Sequence, residues 1–353
     1  MDWGLGHATR MVPVIENLLT FGVNVIIGAD HRPLDFLRKR FPECSWVRLP
    51  GFQPAYQKKG KLLTLKVTTD FPKMMIASRK AHNHLEKLID EMDIDAVISD
   101  NRYELYSDKI PTIFITHQLR ILTQGVLAPT QPAVQQFLYS FIEKHDEVWV
   151  PDFEGKPNLS GELSHVRKMP DKKVYYIGPL SRFQLLKNEN TVGKKFNILG
   201  IMSGPEPQRT LFEKILIEQG LKTDFNILIL SGKPGEIFVK KQNNIEIRSH
   251  AGDEEMASLI LSADIVISRS GYTTVMDLAT LGKKAVFVPT PGQPEQEYLA
   301  KTLKENKLFY SKKQKKFNLE KAVEKAANYS GLTINNDYQL LNDRIQNLLN
   351  RLN

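Results

Sequence analysis

The sequence predicts an α/β protein of two domains, each built around a parallel β-sheet. Short runs of apolar and β-branched residues, typical of buried parallel strands, alternate with amphipathic helical segments along the 353 residues. This alternation begins near residue 23 and restarts near residue 197, and Gly178-Pro179 separates the two series. We therefore expect a first domain at residues 1–179 and a second at residues 180–353, facing each other across a cleft.

The composition is ordinary for a globular protein, with 41% hydrophobic and 25% charged residues, which excludes wholesale disorder. Cys44 is the single cysteine, so an intrachain disulfide and a multi-cysteine metal site are excluded and a reducing, cytoplasmic location is expected. No basic and then apolar leader follows Met1. The longest uncharged stretch, residues 121–142, contains Pro129 and Pro132, which argues against a membrane span.

The net charge of +8 and the pI of about 9.2 fit three kinds of partner: nucleic acid, an anionic membrane surface or acidic small molecules. Lysine pairs occur at 58–59, 312–313 and 315–316, but none lies in an RNA-binding or helix-turn-helix pattern. We expect no nucleic-acid partner. Solvated faces are the common explanation of such pairs, and a peripheral membrane contact is the alternative that would suit a lipid-linked substrate.

The first domain opens with a glycine-rich turn in which Gly4, Gly6 and His7 precede an amphipathic helix. Such turns normally follow a strand, and here three residues precede Gly4. In a parallel sheet the absent strand would be central. We therefore expect the true N-terminus to lie upstream of residue 1.

Strand candidates of the first domain end in polar residues. They fall at residues 23–29, 46–49, 96–99, 112–116, 147–151 and 174–177. Asp100 and Arg102 follow one of them, and His117 and Gln118 follow another, so all four are expected at the carboxyl rim where open α/β sheets bind ligands. Capping of strand ends is an equally good interpretation. Residues 57–82 mix lysines with apolar residues and are either a flap toward lipid or substrate, or a cover for the sheet.

The second domain repeats the pattern. Strand candidates at 197–202, 225–230 and 245–247 end in polar turns that include Ser203 and Gly204. The tail, residues 338–352, has helical leucine and isoleucine spacing.

The most informative stretch is 263–300. A strand at 264–268 leads through Arg269, Ser270 and Gly271 into a helix that stops at Gly282, and a strand follows at 285–289. A helix N-terminus presents unsatisfied N–H donors and partial positive charge, which suits a phosphate, and Arg269 could add a charge-assisted contact. One turn into the helix, Asp277 could accept hydrogen bonds from a ribose diol. The polar loop 290–297 offers Gln293, Gln296 and Glu297 to a sugar.

Three motifs of this stretch resemble the nucleotide-sugar site of GT-B glycosyltransferases. They are Arg269-Ser270-Gly271, Thr274-Val275-Met276-Asp277 and Gln296-Glu297-Tyr298-Leu299-Ala300. The pattern is similar to that of the N-acetylglucosaminyltransferase family that forms lipid II in peptidoglycan synthesis, although the family residue at Asp277 is usually Glu. An ordinary βαβ unit with a polar turn is the alternative.

The resemblance implies a GT-B fold. It implies that the enzyme transfers a hexose or N-acetylhexosamine from a UDP-sugar to a hydroxyl of a sugar or lipid-linked acceptor. The transfer would invert the anomeric centre and need neither a metal ion nor a cofactor. It implies a role in cell-envelope polysaccharide synthesis at the inner face of the membrane, and a terminal helix that crosses back to the first domain. The implied donor site comprises Gly6, Ser203, Gly204, Arg269, Ser270, Gly271, Thr273 and Thr274 for the diphosphate, Asp277 for the ribose, Arg248, Ser249 and His250 for the base, and Gln293, Gln296 and Glu297 for the sugar. The implied acceptor side comprises Arg10, Asp100, Arg102, His117 and Gln118.

His7 is the best candidate for the base that deprotonates the acceptor. At a helix start the dipole disfavours the imidazolium and keeps the ring neutral near pH 7. The flanking glycines would admit a ligand closely, and a helix-capping histidine is the alternative. Arg10 is expected to bind an anion or to hold the interdomain cleft, whereas Asp100 and His117 are weaker candidates for positioning the acceptor.

Two other function classes remain open. The chain also resembles the sugar-nucleotide hydrolase of pseudaminic acid synthesis, which has a comparable G-x-G-H-x-x-R turn and uses water in place of an acceptor. A binding protein that kept the fold and lost the chemistry is the third possibility. Asp93 and Asp95 form a D-x-D pair, but it precedes its strand and is therefore at the wrong end to hold a nucleotide's metal.

Overall fold

The structure is a computed structural model that describes residues 5–51, 63–123, 125–184, 186, 196–233, 235–335 and 337–352. The chain forms two compact units. The first contains the described residues up to Leu180 together with those from Asp337 onward, and the second contains those from Ser181 to 335. Gly4 and residues 57–62 of the predicted flap lie outside the described residues.

The first unit has two parallel sheets. Its elements are α1 (Leu5–Thr20), β1 (Ile26–Ala29), α2 (His31–Arg40), β2 (Ser45–Arg48), α3 (Leu63–Glu91), β3 (Val97–Asp100), β4 (Thr112–Ile115), α4 (Gln131–Ile142), β5 (Glu147–Val150), β6 (Lys173–Tyr176) and α10 (Gln339–Leu352). Strand β1 pairs with β2, and β3, β4, β5 and β6 pair in that order. Strands β4 and β5 are buried at every residue, as expected for the middle of a covered parallel sheet.

Helix α10 belongs to the first unit because it packs on that unit's sheet. Its apolar stripe of Leu341, Ile345 and Leu348 is buried. Arg344 donates to the buried carboxylate of Glu147 at 3.0 Å, and the indole N–H of Trp149 donates to the same carboxylate at 2.9 Å. The pattern of residues 338–352 therefore produced the helix that its spacing predicts.

The second unit is one seven-stranded sheet with helices around it. Its elements are β7 (Ile198–Ile201), α5 (Gln208–Gly220), β8 (Ile227–Leu230), β9 (Val239–Gln242), β10 (Ile245–Arg248), α6 (Asp253–Ser262), β11 (Ile265–Ser268), α7 (Tyr272–Thr280), β12 (Ala285–Phe287), α8 (Pro294–Glu305), β13 (Tyr310–Ser311) and α9 (Leu319–Ala326). The strand order is β13-β12-β11-β7-β8-β10-β9, and all neighbours are parallel except β9 and β10.

The hairpin strand β9 was not predicted. Its four residues are all exposed, and two of them are lysines, so they lack the apolar run that marks a buried strand. Asn243 adopts a φ of 51° in the turn that follows, a conformation that asparagine tolerates. Lysines on a sheet edge discourage pairing with other chains.

Candidate functional site

The strand order of the second unit places two predicted loops side by side. From the central strand β7 the chain builds outward through β8 to β10, and then returns to add β11 on the other side of β7. The carboxyl ends of β7 and β11 therefore border the point where the strand order reverses, which is where open α/β sheets bind ligands. Ser203 and Gly204 follow β7, and Arg269, Ser270 and Gly271 follow β11.

The turn after β11 leads the chain into α7. Gly271 is the N-cap with an extended backbone (φ −70°, ψ 145°), and as a glycine it contributes no side-chain hydrogen bond to the start of the helix. Thr273 and Thr274 in the first turn are half-buried. The first backbone N–H donors of a helix, supported by the helix dipole, match the oxygens of a diphosphate.

Arg269 lies beneath this turn rather than beside a ligand. Its side chain is 1% exposed and donates to the carbonyls of Val288 (2.9 Å), Pro289 (3.3 Å) and Gln208 (2.7 Å). It also stacks on Phe212, and burial lowers its pKa to about 10. This geometry directs the guanidinium to backbone carbonyls, and it does not support the expected direct contact between Arg269 and a diphosphate. Arg269 instead holds the loop after β12 and the start of α5 against the turn.

Gln296 and Ser270 join the loop after β12 to the turn after β11. The Ser270 hydroxyl donates to the Gln296 backbone carbonyl at 2.8 Å, and the Gln296 side-chain oxygen accepts from the Thr290 N–H at 2.9 Å. Glu297 accepts from the Gly292 N–H at 3.4 Å, and Gln293 is the N-cap residue of α8. The Gln296 side chain thus shapes the loop, whereas Gln293 and Glu297 are half-buried at its surface.

Asp277 is a buried carboxylate with a partner that sequence reasoning missed. It is 7% exposed, and the hydroxyl of Ser181 donates to it at 2.7 Å. Burial raises the pKa of Asp277 to about 6 despite the nearby Arg182, whose guanidinium donates to Asp253 at 2.6 Å. Ser181 and Arg182 directly follow Gly178-Pro179-Leu180, so no local pattern indicated that they return to α7 and α6.

Arg248, at the end of β10, is held by ion pairs, whereas Ser249 and His250, which follow it, are close to each other. The Arg248 guanidinium donates to Glu246 (2.8 Å) and Glu255 (2.7 Å), so two carboxylates hold it, contrary to the expectation that it contacts a base. Ser249 is 4% exposed, with its hydroxyl 3.1 Å from Nδ1 of His250. The backbone of this turn remains the part that can meet a nucleobase edge.

In the first unit, α1 and two strand ends bring four polar side chains together. His7 and Arg10 are one turn apart on α1, Asp100 ends β3, and His117 follows β4. Nδ1 of His7 is 2.8 Å from Oδ2 of Asp100, and Arg10 is 2.9 Å from Asp100 through Nε, 2.9 Å from His7 through Nη2 and 2.9 Å from His117 through Nη1. Of the four residues expected at the carboxyl rim of this sheet, Asp100 and His117 are joined here, through Arg10.

The electrostatics of this cluster favour a neutral imidazole beside an ionised carboxylate. Burial and the Arg10 charge lower the pKa of His7, although Asp100 opposes them. Arg10 and His7 hold the pKa of Asp100 far below its usual range against the effect of burial. His7 is 22% exposed, whereas the side chains of Arg10 and Asp100 are 2% and 7% exposed. The imidazole is therefore the group that can meet a reactant.

Arg102 and Gln118 do not join this cluster. Arg102 is 7% exposed and donates to the carbonyls of Leu49 (3.2 Å) and Pro50 (3.0 Å) and to Glu104 (2.5 Å). It therefore braces the chain after β2, which corrects the expectation of an acceptor contact. The Gln118 N–H donates to the Thr116 hydroxyl at 3.0 Å, a strand-end cap. Gly6 accepts from the Thr9 hydroxyl through its carbonyl.

Neither a metal-binding cluster nor a membrane-spanning helix is found among the described residues. No group of three or more His, Cys, Asp or Glu side chains in them is arranged to hold a metal ion. None of their helices has both the length and the apolar character to cross a membrane.

Comparison with known proteins adds three findings. Residues 198–339 match the glycosyltransferase family 28 C-terminal domain. An uncharacterized glycosyltransferase of Methanosarcina mazei is 26% identical over 321 residues, which are 86% of this chain and 81% of the relative. The UDP-N-acetylglucosamine--N-acetylmuramyl-(pentapeptide) pyrophosphoryl-undecaprenol N-acetylglucosamine transferase of Rickettsia prowazekii is 31% identical over 143 residues, 39% of this chain and 36% of the relative.

Solved structures share the fold. The glycotransferase of kitacinnamycin aligns with a TM-score of 0.60 at 15% identity, covering 98% of this chain and 92% of its own. MurG of Acinetobacter baumannii aligns with a TM-score of 0.53 at 17% identity, covering 97% and 96%. Both support the α/β fold of the GT-B class that the sequence predicted.

Proposed function

Because the chain is a glycosyltransferase of the GT-B fold that resembles the lipid II-forming N-acetylglucosaminyltransferases, we propose that it transfers a sugar from a UDP-sugar to an acceptor hydroxyl. The sugar is a hexose or an N-acetylhexosamine. The transfer inverts the anomeric centre and requires no metal ion. The observation that carries this proposal is the start of α7 after Gly271, which lies at the switch point of a domain that matches the glycosyltransferase family 28 C-terminal domain.

The second unit supplies the donor site. The diphosphate lies on the N–H groups after Gly271, with Thr273 and Thr274 beside them and with Ser203 and Gly204 facing from the end of β7. Asp277 accepts the ribose hydroxyls, the backbone of Ser249 and His250 meets the base, and Gln293 and Glu297 bind the sugar. As the bond from the anomeric carbon to UDP breaks, its electron pair leaves with the diphosphate, and fixed N–H donors stabilise the added charge.

The first unit supplies the base. In the productive tautomer Nδ1–H of His7 donates to Asp100, which leaves the Nε2 lone pair available. Nε2 takes the proton of the acceptor hydroxyl while that oxygen attacks the anomeric carbon, and Asp100 stabilises the imidazolium that forms. A single displacement of this kind inverts the configuration at the anomeric carbon.

The acceptor is a sugar or a lipid-linked hydroxyl compound, and we place the enzyme in the cytoplasm at the inner face of the membrane. The basic character of the chain, with a pI of about 9.2, supports contact with anionic lipid headgroups. The relative from R. prowazekii is named for an undecaprenol-linked acceptor, which supports an acceptor of the lipid-linked class and a role in cell-envelope polysaccharide synthesis.

A thermal-shift screen of the full chain against UDP, GDP, ADP, dTDP and their sugars tests donor binding. A ligand at about 100 times its dissociation constant stabilises by about 2.7 kcal/mol, and we expect this for UDP compounds without added metal. The stabilising UDP-sugar is then incubated with and without isoprenoid-linked acceptors, and UDP release is measured. Release that requires acceptor supports transfer. Equal release without acceptor supports a hydrolase, and binding without release supports a protein that has lost the chemistry.

His7→Ala separates binding from catalysis. We expect unchanged stabilisation by UDP-sugar and a loss of turnover of about 100-fold to 10,000-fold, the usual range for a general base. The matched control is His84→Ala, at an exposed position on α3, which leaves turnover unchanged. Normal turnover by His7→Ala would remove His7 from the mechanism.

A further inference from the structure

Arg10 contacts the three other residues of the polar cluster in the first unit, which are His7, Asp100 and His117. Its Nε and Nη2 atoms donate to both oxygens of Asp100, its Nη1 lies 2.9 Å from Nδ1 of His117, and its Nη2 lies 2.9 Å from Nδ1 of His7. Its side chain is 2% exposed, so no ligand reaches it from solvent. From this geometry we infer that Arg10 is a positioning residue that fixes the tautomers of His7 and His117, so that His7 presents a neutral ring to the acceptor. This inference rests on the proposed function.

The tautomer of His117 follows from donor and acceptor chemistry. A guanidinium has five N–H donors and no acceptor, and it stays charged in proteins. Nδ1 of His117 must therefore accept the hydrogen bond from Arg10, which places the ring proton on Nε2. The ring is 5% exposed and follows a fully buried strand, so it has little freedom to turn over.

The tautomer of His7 is decided by competition at one atom. Nδ1 lies 2.8 Å from an acceptor, Oδ2 of Asp100, and 2.9 Å from a donor, Nη2 of Arg10. A proton on Nδ1 leaves the Nε2 lone pair for the acceptor hydroxyl, whereas a lone pair on Nδ1 puts the proton on Nε2 and makes the ring useless as a base. Because Arg10 already directs Nη2 and Nε to Asp100, it orients that carboxylate toward His7 and favours the first arrangement.

The charge of Arg10 also affects the protonation of His7 in the protein without substrate. The guanidinium offsets the Asp100 carboxylate, so the pair attracts a proton to His7 less than the carboxylate would alone. Burial raises the pKa of Tyr103, which follows β3, so its phenol stays neutral beside Arg10 and Asp100 and adds no charge to the cluster. Without Arg10 the buried carboxylate would have only His7 and would hold it as an imidazolium.

Residues His7 and Arg10 are three positions apart on α1, so both project from the same face of the helix. The arrangement therefore needs nothing from the second unit and exists in the free protein. This allows a test that is independent of substrate.

The test is two-dimensional ¹H–¹⁵N correlation of the histidine rings in the full chain without ligand. Peaks are assigned by their loss in His7→Gln and His117→Asn. At pH 7.5 we expect the Nε2–H tautomer for His117 and the Nδ1–H tautomer for His7. An Nδ1–H tautomer for His117, or an Nε2–H tautomer for His7, would overturn the inference whatever the enzyme's activity.

Three arginine variants test whether Arg10 sets the tautomers of the two histidines and the titration of His7. In Arg10→Gln we expect the His7 titration and the acid limb of kcat/KM to move to higher pH by about one unit or more. Arg10→Lys keeps the charge but loses the fork, so it should keep the His7 titration and lose the single tautomer of His117. Arg40→Gln removes a surface ion pair with Glu16 and is the control, with neither effect. An unchanged His7 titration in Arg10→Gln overturns the inference, and if that variant does not fold, the wild-type and Arg10→Lys spectra decide.

Discussion

The hydroxyl of Ser270 donates a 2.8 Å hydrogen bond to the backbone carbonyl of Gln296 and thereby ties the turn after β11 to the start of α8. Ser270 is fully buried, so the bond is shielded from water. The two loops that the sequence assigned to phosphate and to sugar are thus one structural unit. The bond couples the positions of the two loops, which suits the diphosphate site proposed above.

Loss of this bond should weaken donor binding. We predict that Ser270→Ala destabilises the protein by about 1–3 kcal/mol, because the Gln296 carbonyl loses its buried donor, and weakens UDP affinity about tenfold or more. Urea unfolding and isothermal titration with UDP measure the two effects. Ser262→Ala, which removes a hydroxyl-to-carbonyl bond at the end of α6, is the control and should leave UDP affinity unchanged. Wild-type affinity in Ser270→Ala would show that the tie has no role in binding.

We predict that the buried carboxylate of Asp277 lowers the stability of the folded protein and is kept for binding the ribose. Burial raises its pKa from the ordinary 3.8 to about 6 in the folded protein, so the folded state binds more protons than the unfolded chain between these two pH values. The folded state therefore loses stability as pH rises through this window, and the cost is complete above about pH 6. One pKa unit corresponds to about 1.4 kcal/mol. The free energy of unfolding of Asp277→Asn should therefore exceed that of the wild type by about 3 kcal/mol at pH 7.5 and should equal it at pH 4.

The same Asp277→Asn variant should bind UDP about tenfold more weakly or worse, because a charged acceptor for the ribose diol is replaced by a neutral amide. Asp264→Asn, at an exposed carboxylate that begins the same strand–turn–helix, is the control for both measurements. A variant that gains stability and still binds UDP as the wild type does would exclude Asp277 as the ribose contact.

Gly232 should tolerate no side chain. It adopts a φ of 66° after β8, and a Cβ atom there would lie 2.2 Å from the backbone carbonyl oxygen of Met202 at the end of β7. Gly232→Ala should therefore push the β7 loop, with Ser203 and Gly204, out of place and reduce both Tm and UDP affinity. Gly235→Ala is the control, because its Cβ would meet nothing within 4 Å. Equal behaviour of the two variants would show that the β7 loop is not needed for the donor.

His145 should make the first unit sensitive to acid. It is fully buried, and burial lowers its pKa to about 4 against the opposing effect of the nearby backbone of Ile142, Phe141 and Leu105. The unfolded chain binds the proton near pH 6.5, so stability is complete above that value and falls as pH drops toward 4. We predict a loss of about 2 kcal/mol between pH 7 and pH 5 from this residue.

The test compares the pH dependence of unfolding in the wild type, His145→Leu and His84→Leu. Only the change between the two pH values counts, because His145→Leu also alters packing against Phe114. We expect a flatter profile for His145→Leu alone. Parallel profiles for all three proteins would show that another group causes the acid sensitivity.

The strands and the donor turn were predictable because their signals are local. A buried parallel strand is a continuous apolar run, and the helix start after Gly271 and its end at Gly282 are marked by glycines at fixed places. Strand β9 was missed for the opposite reason, since its pairing with β10 comes from a turn at Asn243 and not from apolar residues. The partner of Asp277 was missed because Ser181 lies 96 positions away along the chain.

The sequence by itself determined the two α/β series, the turn and helix start after β11, the carboxylate of Asp277 and the histidine at the start of α1. Only the tertiary structure decided what the arginines do. Arg102, Arg248 and Arg269 were expected to meet a ligand, and Arg10 was expected to bind an anion or to hold the interdomain cleft. Each is held by carbonyls, carboxylates or imidazoles of its own unit. The reason is physical: an arginine side chain is long and carries five donors, so its direction is set by whichever acceptors the packed fold brings within reach.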